Sequence, residues 1–417
     1  MSKEKKQTQT GVVGLVPELR FPEFQNDGNW VEKKLGQIGE PQMCKRVFKE
    51  QTTSNVVNGI PFYKIGTFGK IPDSYITVEL YEEFKSTYNF PNKGDILISA
   101  SGTIGRLVIY DGKPAYFQDS NIVWLGHSGS EILNELLYYC YSILNWQTSD
   151  GGVIKRLYNS DLKAISIKFP KNKSEQQKIA SCLSSLDELI AAHNEKLEAL
   201  KDHKKGLMQN LFPQEGGTIP KLRFPEFEND GEWVVKKLGD KRVSSIINDK
   251  IESNVLTLDN YVSTDNMLPN YSGITKASKL ALNSKATKFI KGDILISNIR
   301  PYLKKVWKSD RIGGASNDVI VFRSGTSVTS EFLVTLLKND SFINYVMKSA
   351  KGVKMPRGDK DTIVKYPVLL PKHQEQQKIA SCLSDVDELI SAQTQTLEAL
   401  KTHKRGLMHG LFPTTQE

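Results

Sequence analysis

The chain has 417 residues, with 39% apolar and 25% charged side chains, which is enough apolar material for two to four globular cores and too much chain for one. Its formal net charge of +9 favours an acidic partner, nucleic acid first among them. Four scattered cysteines, Cys44, Cys140, Cys182 and Cys382, include no Cys-x-x-Cys pair, which argues against a zinc site and a disulfide framework. A polar, lysine-rich start with no apolar signal core, and no apolar run of membrane-spanning length, point to a reducing cytosol.

In chain order, a polar tail over 1–12 precedes a block from Pro17 to Gly36, PELRFPEFQNDGNWVEKKLG, which returns from Pro220 to Gly239. A second block, Glu175 to Pro213, returns from Glu375 to Pro413 with 28 of 39 positions identical. Between these blocks the two halves diverge, except for KGDILIS at Lys93–Ser99 and Lys291–Ser297. The pattern is reader, connector, reader, connector, with readers over 13–172 and 214–372 and connectors over 173–213 and 373–417. A shared frame holding two different recognition surfaces gives that pattern. A duplicated enzyme would keep its active-site motifs in both copies.

The readers mix strands and helices. IPFYKIGTF, GDILISASG and ISIKFP in the first, and GDILISNI, ASNDVIVFR and IVKYPVLLP in the second, cluster β-formers between turn residues. Helical stretches fall at Ile132–Leu144 and Glu331–Asn339. The connectors are helices with apolar steps of three and four. The first carries Ile179, Leu183, Leu186, Ile190, Leu197, Leu200, Leu207 and Leu211; the second carries Ile379, Leu383, Val386, Ile390, Leu397, Leu400, Leu407 and Leu411. His193 or Gln393 and Lys204 or Lys404 interrupt this seam, and Pro213 and Pro413 end it. About 36 residues make a rod of roughly 54 Å, and two rods with matching seams are expected to pair antiparallel about a pseudo-two-fold axis. The alternative is that each helix lies on its own reader's core. The expected fold class is α+β, two mixed readers joined by two long coiled-coil helices.

The motifs of catalysis are missing from the sequence. There is no Gly-x-x-x-x-Gly-Lys-Ser/Thr loop for a nucleoside triphosphate. The nearest string to an amino-methyltransferase motif is Asn89-Phe90-Pro91-Asn92, which does not fit, and no glycine-rich turn offers a methyl-donor site. Pro72-Asp73 followed by Glu83-Phe84-Lys85 matches a loose nuclease pattern that could hold Mg²⁺. The second reader has no equivalent, and a solvated charged segment is the simpler reading. No metal ligand is assigned.

The candidate DNA contacts sit where the shared strand ends. In the first reader these are Ser99, Ser101, Thr103 and Arg106; in the second, Asn298, Arg300, Lys304 and Lys305. Hydroxyls and amides suit phosphates, and arginine can fork onto guanine. A second pair of glycine-containing basic loops adds Lys155 and Arg156, and Lys354 and Arg357. Gln118 and Asn317 carry amides suited to adenine edges. Ordinary strand ends bearing surface charges are the plain alternative.

LRFPEF…W at the start of each reader, EQQKIA entering each connector, and KKGLMQNLFP leaving the first resemble the specificity subunit of type I restriction–modification enzymes, over nearly the whole chain and twice in register. The resemblance implies a non-catalytic subunit whose two target-recognition domains each read half of a split, asymmetric double-stranded DNA site. It implies that the conserved helices form an antiparallel coiled coil setting the gap. Two methyltransferase subunits, with S-adenosylmethionine and base-flipping adenine chemistry, and two restriction subunits, with ATP, Mg²⁺ and translocation, would be the partners; this chain would bind no cofactor itself. The rival class is an autonomous nuclease or methyltransferase with a fused recognition module.

Overall fold

The computed structural model describes residues 15–54, 57–146, 156–280 and 285–413. The chain divides into two units: Met1–Ala192 with Leu397–Glu417, and His193–Thr396. Two long helices, Lys173–Asn210 and His373–Leu411, are each shared between the units by sequence. No described helix is long and apolar enough to cross a membrane.

In the first unit a ribbon pairs Val31–Lys34 antiparallel with Ser166–Phe169 and closes the two ends of the reader. A four-stranded antiparallel sheet runs in the order Glu40–Gln42, Ile122–Gly126, Ile96–Ser99, Leu107–Ile109. A three-stranded sheet sets Ile60–Tyr63 between Tyr75–Ile76 and Tyr116–Phe117, the latter pair parallel. The helical stretch around Cys140 forms Asn134–Ser142. The second unit has a matching ribbon, Val234–Lys237 with Pro367–Leu370, and a matching sheet, Ser244–Ile246, Val319–Ser324, Ile294–Ser297, Val306–Lys308. Its further sheet has four strands, Lys250–Glu252, Lys285–Phe289, Gly313–Ala315 and Tyr261–Val262.

The ILIS of each repeated KGDILIS is an inner strand of the two matching four-stranded sheets. All four residues of each ILIS are buried. Side chains alternate between faces along a strand, so Ile96 and Ile98 enter one core while Leu97 enters another. Ile294 and Ile296 part from Leu295 in the same way. A strand covered on both faces has to be continuously apolar. The glycine is needed too: Gly94 and Gly292 have φ of 95° and 93°, which L side chains avoid.

The other two repeated motifs are partners of one another. In the first unit Arg20 forks onto Glu175 at 2.8 Å through both nitrogens, and Trp30 Nε1 donates to the same carboxylate at 3.3 Å. In the second, Arg223 holds Glu375 at 2.8 and 2.7 Å. Both carboxylates are 1% exposed or less in the folded chain. The next residue, Gln176, accepts from Leu133 N–H and donates to the carbonyls of Glu131 and Pro170. Gln376 does the same with Thr329, Ser327 and Pro371. These side chains stitch the first helical turn to the reader's loops, and that explains why LRFPEF and EQQ recur together.

The seam residues are buried or half-buried, but the outer ones have a further role. Ile179 and Leu183 lie in the first reader's core with Leu407 and Leu411; Ile379 and Leu383 lie in the second's with Leu207 and Leu211. The end turns of both helices therefore serve as reader core, which corrects the expectation of a seam given over to helix pairing. The polar interruptions find mates within each unit. Lys204 Nζ meets Asp387 at 2.6 Å, Lys404 meets Asp187, and Gln393 Nε2 donates to His193 Nδ1 and to its carbonyl, both at 2.8 Å.

Candidate nucleic-acid interface

Each reader brings its three candidate segments together by backbone pairing. In the first, Ser101 bridges Arg156, Leu157 N–H donates to Ala100 O, and Ala100 N–H donates to Asn121 O. In the second, Ile299 bridges Arg357, Gly358 N–H donates to Asn298 O, and Asn298 N–H donates to Asp318 O. Strand end, amide-bearing turn and basic loop converge in both. Lys155 lies outside the described residues.

The side chains then divide by role. Ser99 is buried; its hydroxyl donates to Thr103 O at 2.5 Å and accepts from Arg106 N–H at 2.7 Å. Its counterpart Ser297 likewise donates to Ile299 O. Ser99 therefore shapes the turn, which corrects the expectation that its hydroxyl is presented to DNA. Ser101 is half-buried and donates to Asn121 Oδ1, while Thr103 is exposed. Arg106 donates to Phe68 O, Arg156 donates to Ser120 O, and Gln118 accepts from Ile65 N–H. In the second reader Lys304 pairs with Asp340 at 2.6 Å, Lys305 donates to Thr264 O at 2.6 Å, and Arg357 meets Asp318 at 3.2 Å. Asn317 is exposed and accepts from Lys250. Arg300 and Lys354 are exposed and have no side-chain partner among the described residues.

Sequence reasoning missed the partners Lys250, Asp318 and Asp340. A single sequence marks no residue as paired, so only the fold reveals them.

The nuclease-like string does not assemble. Asp73 pairs with Lys64 at 2.9 Å, and Lys85 lies over the rings of Tyr81 and Phe90. No group of three or more potential metal-holding residues occurs among the described residues. Burial pushes the Cys44 and Cys140 thiols up to about 12, which keeps them protonated and poorly nucleophilic.

Two repeated frames thus carry two dissimilar tips, each built from a strand end, a turn and a basic loop. The family model described as "Type I restriction modification DNA specificity domain" matches residues 27–202 and again 230–402. The chain therefore belongs to the type I restriction–modification DNA specificity family. It is 52% identical over 164 residues to a type I restriction enzyme specificity subunit of Haemophilus influenzae, a match spanning 39% of this chain and 42% of that relative. It is 25% identical over 353 residues to the MjaX specificity subunit of Methanocaldococcus jannaschii, covering 76% and 77%. In fold it is similar to the crystal structure of a type I restriction–modification S subunit from M. genitalium, with TM-score 0.61 and 18% identity over 96% of this chain and all of that one.

Proposed function

We propose that this chain is the sequence-reading subunit of a type I restriction–modification complex, in which each reader takes one half of a split, asymmetric DNA site. The observation that carries the proposal is the reuse of one frame for two tips. Ser99 and Ser297 end the same shared strand and each donates to a carbonyl of the segment that follows, yet the next four residues are Ala-Ser-Gly-Thr in one reader and Asn-Ile-Arg-Pro in the other. Evolutionary change confined to the tips alters the target without disturbing the scaffold.

On this reading the long helices form an antiparallel coiled coil with pseudo-two-fold symmetry. The matched polar pairs Lys204–Asp387 and Lys404–Asp187 support it. The helices would set the gap between half-sites and dock two methyltransferase and two restriction subunits in the cytoplasm. S-adenosylmethionine, ATP and Mg²⁺ belong to those partners, and this chain contributes recognition without catalysis.

Exchanging residues 13–171 for the same segment of another family member tests the idea by methylation mapping of the host genome. One half of the methylated motif should change and the other stay fixed. If both halves change together, the two-reader assignment is wrong; if the purified chain alone cuts or methylates DNA, it is an enzyme in its own right.

A further inference from the structure

A folded chain keeps backbone strain only where its surroundings over-determine it, and such residues gather at functional positions. Among the described residues six non-glycine residues have positive φ, and four of them meet at one place in the second reader. Arg300 and Lys304, with φ of 50° and 55°, flank the turn Pro301–Leu303. Asn270 and Tyr271, with φ of 53° and 62°, hold that turn from the other side. Asn270 N–H donates to Leu303 O and Tyr271 N–H to Lys304 O, both at 2.9 Å. Two buried polar atoms without partners, Tyr271 Oη and Asn298 Oδ1, belong to the same neighbourhood.

The charges there are sorted just as sharply. Lys304, Lys305 and Arg357 are tied to Asp340, Thr264 and Asp318. The exposed Arg300 guanidinium is left without a partner among the described residues, while its backbone N–H is pinned to Pro356 O at 2.8 Å. Buried Pro301 fixes the next step of the chain. The side chain is free, and its base is rigid.

Resting on the proposed function, we infer that Arg300 is a base-reading side chain of the second half-site, its fork directed at the O6 and N7 edge of a guanine in the major groove. A phosphate presents acceptor oxygens in several directions, so a charge on a flexible stem, such as a lysine in relaxed backbone, is enough to grip it. A bidentate base contact needs a fixed direction, and pre-organising the Cα supplies it. Retained strain beneath an unpaired arginine is what the second requirement produces.

The test uses the full chain assembled with its methyltransferase subunits, on duplexes randomised across the second half-site, with Arg300→Gly and Arg300→Lys. Glycine accepts the left-handed backbone, so R300G is expected to fold; R300K keeps the charge without the fork. Both should lose discrimination at a single guanine position by about 5- to 150-fold, with the first half-site unchanged and the salt slope of R300K unaltered. Discrimination that survives in both variants, or in R300K alone, overturns the inference. So does a uniform loss of affinity across sequences with the log–log salt slope reduced by about 0.9, the mark of a phosphate contact. A wild-type assembly with no sequence preference would overturn the proposed function and this inference with it.

Discussion

Glu175 and Glu375 are buried carboxylates, each gripped by two nitrogens of one arginine. Their recurrence was visible in the sequence, but their arginine partners Arg20 and Arg223 lie in a different block, and nothing in a single chain couples two such blocks. Removing one member of a buried, bidentate pair strands the other, at a cost of about 3–5 kcal/mol. Glu175→Gln is therefore expected to lower the unfolding temperature of the first unit, and Glu375→Gln that of the second. Differential scanning calorimetry of each variant checks which transition moves. The lysines of the second tip make the opposite point. Lys304 and Lys305 look in sequence like a free phosphate grip, whereas in the fold both are engaged by the protein. Their joint replacement by alanine should lower the salt slope of DNA binding by less than the roughly 0.9 per residue that unengaged phosphate contacts give. Binding measured across a salt series decides this.

Strands and helices were legible to the extent that their periodicity was unambiguous. The β-formers of GDILIS read as a strand, and the strands Ile96–Ser99 and Ile294–Ser297 bear that out. IPFYKIGTF becomes a strand only over Ile60–Tyr63, because the residues beyond turn back, with Gly69 at φ 72°. The helix Val78–Thr87 lies in a charged stretch whose pattern does not mark it, although Thr77 caps it by accepting from Leu80 N–H and Tyr81 and Phe84 bury its inner face. The connector seam was clear as a stripe, but a stripe names a face and not what covers it. Leu183 and Leu383 therefore looked like helix-pairing residues while also completing reader cores. Leu197, 6% exposed, tests the middle of the seam. Leu197→Asp buries a charge, which costs several kcal/mol unless the group is neutralised. Size-exclusion chromatography should show that this variant no longer assembles with the methyltransferase. An intact complex would take Leu197 out of the seam.

For the molecule as a whole, the two units share one frame of ribbon, four-stranded sheet and helix ends, reached by different routes along the chain. In the second, the helical turns ending at Asn210, with Leu211 and Phe212 after them, precede the reader; Leu222 N–H donates to Asn210 O, and Phe212 meets Trp233 edge-on at 6.0 Å. In the first, the equivalent turns come from the far end of the sequence; Leu19 N–H donates to Gly410 O, and Phe412 meets Trp30 edge-on at 5.9 Å. Removing residues 397–417 takes Leu407, Leu411 and Phe412 out of the first core. Each fully buried leucine or phenylalanine so lost costs about 2–5 kcal/mol. The truncated chain should keep a protease-resistant second unit and lose protection across the first, as mass spectrometry of limited digests would report.

That arrangement reverses the order in which a ribosome delivers the parts. The reader synthesised first waits for the last helical turns before its core can close, while the reader synthesised second has all its pieces once Thr396 has emerged. At roughly 5–20 residues per second, the early reader stays incomplete for on the order of ten seconds or more after its own residues have left the tunnel. A nascent chain interrupted anywhere before Phe412 therefore lacks a finished first core, which closes only with the last turn of His373–Leu411 and the residue after it.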